Sequence, residues 1–236
     1  MKNVMPECRY IAEPVVSPDG ALLAVEVLTR FFKDGAVLPR PDLIIQNLSL
    51  PDKSLLIHTQ IDCIELRKSW FESNNITCSV NVDNELAELI VCNPSLNARI
   101  VSMPFIALEI SECFNGLRAG VSHPVLGGLT ESAITLWLDD MGAGDTSVRL
   151  LRDGLYHVVK LDRFFFKQCI KEGNLEEVVR ALRVFCDKII VEGVDDICYI
   201  AQLKRAGVWG IQGYVYPCVA LEEIEYQNAY YKILSR

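Results

Sequence analysis

Six short apolar runs in this chain each end in a charged or amide side chain: Asn81, Glu109, Asp139 with Asp140, Lys160, Glu192 and Gln212. If each run is a buried parallel strand, these side chains emerge at one carboxyl-terminal rim, where α/β barrels keep their chemistry. Together with Glu26, the residues Asn81, Glu109 and Asp139 offer the oxygen ligands that a hard divalent cation such as Mg2+ takes. Asp140 adds a carboxylate for a second metal, the arrangement used for in-line displacement at a phosphodiester. Lys160 is placed to polarise or orient an attacking water, with Glu192 and Gln212 completing ligation and water positioning. Any one acid at a strand end is as readily a helix cap or a solvated loop residue. Six successive strands ending in this way point to a pocket, present or ancestral.

Such a rim needs alternating strands and helices to build it. Apolar periodicity predicts strands over 10–16, 22–28, 77–82, 105–110, 135–139, 158–161, 188–191 and 210–214. Helical spacing predicts helices over 55–71, 175–186, 196–206 and 221–234, with a weaker one after Asn84. The strands are too apolar to face water, which argues for a parallel sheet, and the capped strand ends favour a closed barrel. The first two strands are joined only by Ser17-Pro18-Asp19-Gly20, a turn sequence, so they form an antiparallel hairpin and the barrel is not a regular eightfold one. Glycines and Pro124 between Cys113 and Ser132 predict a long loop with a short helix. There is no repeat, low-complexity tract or linker, so one standalone domain over 1–236 is expected.

A chain of 236 residues, half of them apolar, can bury a large core. The net charge of -8 and the lack of a basic cluster argue against direct nucleic-acid binding. No apolar run reaches the ~18 residues of a membrane helix, and the amino terminus is not a signal peptide. Nine scattered cysteines without C-x-x-C pairs read as buried, reduced thiols, and a cytoplasmic protein is expected. His58, His123 and His157 stand outside any metal-binding motif, and no G-x-S-x-G elbow exists. Gly142-Ala143-Gly144 lacks the G-K-[ST] of a phosphate loop. Phe164-Phe165-Phe166 reads either as a partner-binding patch or as core packing for one or two of the rings.

In order and spacing these residues resemble the EAL domains, metal-dependent phosphodiesterases that linearise the bacterial second messenger cyclic di-GMP. Glu26-Val27-Leu28-Thr29-Arg30 is similar to E-A-L-L-R, Ser79-Val80-Asn81-Val82 to the strand ending in Asn, and Leu108-Glu109-Ile110-Ser111-Glu112 to E-I-T-E. Asp139-Asp140-Met141-Gly142 resembles D-D-F-G, Val159-Lys160-Leu161-Asp162-Arg163 resembles I-K-I-D-R, Val191-Glu192-Gly193-Val194-Asp195 resembles A-E-G-V-E, and Gln212-Gly213-Tyr214 matches Q-G-Y. The resemblance implies a single EAL-type, TIM-like (β/α) barrel with an antiparallel first strand. It implies metal ligands at Glu26, Asn81, Glu109 and Asp139, a second-metal ligand at Asp140, and water and metal auxiliaries at Lys160, Glu192 and Gln212. Arg30 would contact ligand phosphate, and Glu112 would fasten the loop after the paired aspartates.

The departures concentrate in that loop. Active members read D-D-F-G-T-G-Y-S-S, and here Met141, Ala143 and Asp145 replace Phe, Thr and Tyr. A less fixed loop loosens a site whose rate depends on positioning. Asp145 also adds negative charge where an anionic dinucleotide approaches, which disfavours cyclic di-GMP binding. Gln46-Asn47 replaces the family's A-E, and Tyr216-Pro217-Cys218-Val219-Ala220 drifts from the usual motif after Q-G-Y. This degeneration resembles non-enzymatic members of the family, and so implies vestigial catalytic and metal residues. No cofactor is then required, although the donor set suits Mg2+ or Mn2+. By the same resemblance the partner is FlhD, a subunit of the flagellar master activator FlhDC, whose DNA binding would be blocked and motility repressed. Two alternatives stay open: a weakly active phosphodiesterase, and a cyclic di-GMP receptor without cleavage.

Overall fold

The computed structural model describes residues 5–143 and 148–226. It opens with two long antiparallel strands, β1 (Glu7–Val16) and β2 (Leu22–Lys33), paired from Glu7 opposite Phe32 to Val16 opposite Leu22. Their turn closes through Gly20, whose φ of 87° suits glycine, and through Ala21 N–H donating to Ser17 Oγ at 3.0 Å. A short β3 (Ala36–Val37) pairs with the far end of β2. Six strands then run parallel to β2: β4 (Thr77–Asn81), β5 (Ile106–Ser111), β6 (Thr135–Met141), β7 (Val158–Leu161), β8 (Ile189–Val191) and β9 (Gly210–Ile211). Because β1 pairs antiparallel with both β9 and β2, the sheet closes into an eight-stranded mixed barrel. A short β10 (Val219–Ala220) pairs antiparallel with β1 at Ile11 and Ala12.

Helices occupy the connections: α1 (Pro41–Gln46), α2 (Leu50–Glu65), α3 (Lys68–Asn74), α4 (Asn84–Cys92), α5 (Pro94–Val101), α6 (Pro124–Glu131), α7 (Arg163–Glu172), α8 (Leu175–Leu182) and α9 (Ile200–Ala206). Their starts follow capping chemistry. Asp83 accepts from Leu86 N–H at 2.8 Å, Asn93 from Leu96 N–H at 3.1 Å, and Asp162 from Phe164 and Phe165 N–H at 2.8 and 3.0 Å. The longer helices then bury one stripe against the barrel, whereas α1 has no buried residue. On α8 this stripe is Leu175, Val179 and Leu182, four and three positions apart, each contributing about 1.5–3 kcal/mol by burial.

Inside the barrel, side chains two residues apart point inward and stack in layers. The lower layer is apolar: Val15, Ala24, Ala107, Trp137, Val158 and Ile190, with Trp209 packed beneath. Two residues further along the same parallel strands stand Glu26, Glu109, Asp139, Lys160 and Glu192. The fold therefore plugs one end of the barrel with carbon and lifts the ionisable groups to the other.

Several sequence expectations need correction. The helix expected over 55–71 starts earlier, behind the Ser49 cap and Pro51, and breaks after Glu65, because Arg67 leaves helical geometry at φ -111°, ψ 11° before α3. The 196–206 helix begins as a 3-10 turn at Ile197–Tyr199 before α9, and the 175–186 helix stops at Leu182. The stretch after Cys113 holds a 3-10 turn, Leu117–Ser122, and α6, which begins at Pro124. A 3-10 turn, Leu221–Tyr226, starts the expected last helix, whose remainder falls outside the described residues. The cysteines are not uniformly buried: Cys78, Cys169 and Cys186 are, whereas Cys92, Cys113, Cys198 and Cys218 are exposed. Among the described residues, no helix is long and apolar enough to cross a membrane.

Candidate functional site

The rim residues converge on one cation. Lys160, on β7 and 1% exposed, places its Nζ 2.7 Å from Glu109, 2.7 Å from Glu192, 2.9 Å from Glu26 and 3.3 Å from Asp139. Glu26 also accepts hydrogen bonds from the Asn81 amide and, at 2.5 Å, from the Gln212 amide. Strands β2, β5, β6 and β7 thus supply Glu26, Glu109, Asp139 and Lys160, Asn81 ends β4 against Glu26, and β8 and β9 end directly before Glu192 and Gln212. In register, Asn81 pairs with Glu109 and Glu26 with Ser79.

Charge in the ring is unbalanced, since one buried ammonium faces four carboxylates. Burial by itself would lower the Lys160 pKa, yet Asp139, Glu109, Glu192 and Glu26 around it hold it well above its ordinary value. Burial would push Glu26 up, but Lys160 and the Gln212 and Asn81 hydrogen bonds keep its carboxyl below the usual range. Glu109 and Glu192 are pushed well up, by burial first, and Asp139 is raised for the same reason. A single ammonium cannot compensate every carboxylate in a dry site, so burial disfavours full ionisation of the ring.

Asp139 and Asp140 owe their aim to a bulge. The β6–β7 register shifts between Leu138 and Met141, so the paired aspartates form an extra step in the ladder. Asp140 adopts φ 58°, uncommon for a residue with a side chain, and Gly142 follows at φ 99°. Burial, then the neighbouring Asp139 charge, pushes Asp140 up to about 6, with Glu112 adding like charge. Asp139, Asp140 and Glu192 offer carboxylate oxygens within 4.8 Å of one another.

The loop substitutions divide. Met141 is buried in the main core in register with Leu161, so this position keeps an apolar anchor despite losing the aromatic ring. Ala143 is exposed, its N–H donating to the Asp140 carbonyl at 3.0 Å. Asp145 lies outside the described residues. Beside the ring, a cavity of about 460 Å3 opens, lined by Glu26, Asn81, Glu109, Asp139 and Asp140 on one side and by Arg30, Gln46 and Ile45 toward α1. Arg30 and the altered Gln46 therefore face the same space as the acids.

Two charged groups escaped the sequence reading. Glu13 pairs in register with Glu26, and burial followed by the Glu26 charge raises its pKa. It lies near the middle of an antiparallel strand, so a search of strand ends passes over it; its alternation with Val15 was the available signal. Lys53, 1% exposed on α2, is held 2.6 Å from Glu85 and by Asp83, the cap of α4. No motif marks it, and only its place among apolar helix neighbours hinted at burial.

A model of the EAL domain matches residues 7–217. The chain belongs to the EAL domain family. Among curated relatives, it is 25% identical over 216 residues to the "Anti-FlhC(2)FlhD(4) factor YdiV" of Salmonella paratyphi B, covering 89% of this chain and 91% of that protein. Among solved structures, the EAL-like domain protein YdiV superposes with a TM-score of 0.85 at 24% identity, over 94% of this chain and 96% of the other. The PaMucR phosphodiesterase in complex with c-di-GMP superposes with a TM-score of 0.70 at 22% identity, over 92% and 94%. A regulator and an enzyme thus share this barrel, and the EAL fold alone does not choose between them.

Proposed function

We propose that this chain is a non-enzymatic EAL-domain regulator that binds the FlhD subunit of the flagellar activator FlhC2FlhD4, blocks its DNA binding and represses motility. The observation carrying this reading is the match to the anti-FlhC(2)FlhD(4) factor over nine-tenths of both chains. The charge of -8 supports it generically, because an acidic body suits competition for a basic DNA-binding partner. In this reading the chain acts as one domain, in the cytoplasm, without a required cofactor. Catalysis is absent because Ala143 and Asp145 replace the hydroxyl and aromatic that shape the loop after the paired aspartates.

The second reading, a slow phosphodiesterase, is favoured by the donor set. Among the described residues, Glu109 Oε1 and Gln212 Oε1 are buried without a hydrogen-bond partner, which fits oxygens left for a cation. Mg2+ or Mn2+ would be held by Glu26, Asn81, Glu109 and Asp139, with Asp140 serving a second ion. Bound there, the metal would supply Lewis-acid polarisation of a phosphodiester and an activated water. The chain's own part would be to fix the donors through Lys160 and to present phosphate to Arg30 across the cavity.

Calorimetry with purified FlhC2FlhD4, alongside chromatography of cyclic di-GMP incubated with Mg2+ or Mn2+, separates the two. Binding of the activator without linear product is the expected result. Metal-dependent product abolished by Glu26→Ala would overturn the non-enzymatic reading.

A further inference from the structure

The run of three phenylalanines splits by environment. Phe166 is fully buried, and Phe165 sits so close to Gly142 that a Cβ there would lie 2.4 Å from its ring. Phe164 instead faces solvent, 66% exposed. It follows β7, Ile197 follows β8 and Tyr214 follows β9, three adjacent strands, so all three stand on the carboxyl-terminal rim. Ile197 is 73% and Tyr214 87% exposed.

Contacts between the loops bring these residues together. A Cβ on Gly193 would lie 2.3 Å from Arg163 Cβ, and one on Gly213 would lie 2.5 Å from the Val194 backbone. Val215 N–H donates to the Val194 carbonyl at 3.3 Å. The segments carrying Phe164 and Tyr214 therefore both touch Gly193-Val194. The Phe166 ring meets Tyr199 edge-on at 5.5 Å, which draws the Ile197 turn against α7. The Arg163 guanidinium covers the Phe164 ring at 4.4 Å.

Two aromatics and an isoleucine gathered in water gain nothing for folding, and rigid exposed aromatics are what binding hot spots use. The patch is bordered by Asp195, which pairs with Lys167 at 2.6 Å, by Asp196 and by Arg163, on a chain whose net charge is -8. A DNA-binding complex carries clustered Lys and Arg about its nucleic-acid surface. An apolar spot edged by such residues would complement the rings, Asp196 and the net acidity of the chain.

We propose that Phe164, Ile197 and Tyr214 form the face that docks the flagellar activator complex, against an apolar patch bordered by Lys or Arg. This rests on the regulator reading above. The test is calorimetric titration of purified FlhC2FlhD4 into the wild-type chain, into Phe164→Ala/Tyr214→Ala, and into Val184→Ala, a control 76% exposed beyond the end of α8 at the opposite rim. The double variant is expected to bind at least about 30-fold more weakly and the control equally well. Circular dichroism checks that the variants are folded, and Ile197→Ser/Tyr214→Ser replaces the first pair if that one misfolds. Unchanged affinity in a folded double variant overturns the docking face and leaves the regulator reading intact. Absence of binding by the wild-type chain overturns both.

Discussion

Among the described residues, Lys160 is the only cation shared by four buried or half-buried carboxylates, so its removal reads how much the ring depends on it. Lys160→Met keeps the volume and leaves Glu26, Glu109, Asp139 and Glu192 facing one another. Breaking a buried ion pair on one side costs about 3–5 kcal/mol, and that loss is expected in urea unfolding at pH 7.5. A loss under about 1 kcal/mol would mean that the ring already holds enough protons to stand without the ammonium. Met141 tests a different point, whether the altered loop is anchored. Because it is buried against the core, Met141→Ala is expected to cost about 2–5 kcal/mol, and a near-neutral effect would show a loop detached from the barrel.

At the level of elements, α2 and α4 are tied by a buried cation and a cap that share one side chain. Asp83 accepts from Leu86 N–H and also pairs with Lys53, so Asp83→Ala removes the cap and strips a buried ammonium of one of its two acids. The expected loss in thermal or urea unfolding is about 2–4 kcal/mol, with Asp83→Asn recovering the capping share of about 1 kcal/mol. Equal losses in both variants would assign the whole effect to the ion pair. The strands were legible in the sequence because a buried parallel strand is an apolar run, and its inward alternation places Glu109 two residues after Ala107 and Lys160 two after Val158. The hairpin was legible from Ser17-Pro18-Asp19-Gly20. The break between α2 and α3 was not, since Leu66 and Arg67 carry no breaker. Glu13 stayed hidden because the one antiparallel strand reverses the rule that rim residues lie at strand ends.

For the whole molecule, the same burial that builds the core fixes its behaviour in alkali. Tyr10 lies under α2 with its hydroxyl donating to the Leu56 carbonyl at 3.2 Å, and burial raises its pKa, as it does for Tyr156. Burial would lower Lys53, but its hydrogen bonds to Asp83 and Glu85 raise it. All three groups therefore hold their protons more tightly folded than unfolded. Their contribution is fully present below the unfolded values, near pH 10 for tyrosine and lysine, and is lost as pH rises toward the folded ones. Between its unfolded and folded values, each such group lowers stability by up to about 1.4 kcal/mol per pH unit, because the unfolded chain releases a proton that the folded chain keeps. The midpoint of thermal unfolding should thus begin to fall near pH 9, where the unfolded chain starts to ionise the thiols of Cys78, Cys169 and Cys186 that burial holds protonated, and fall steeply from pH 10 to 12. Tyrosinate absorbance from the buried rings should rise together with the loss of the circular-dichroism signal. Ionisation of every tyrosine by pH 11 with the secondary structure intact would contradict the burial of Tyr10 and Tyr156, and with it the packing of α2 over the β1–β2 hairpin on which Glu13 and Glu26 are mounted.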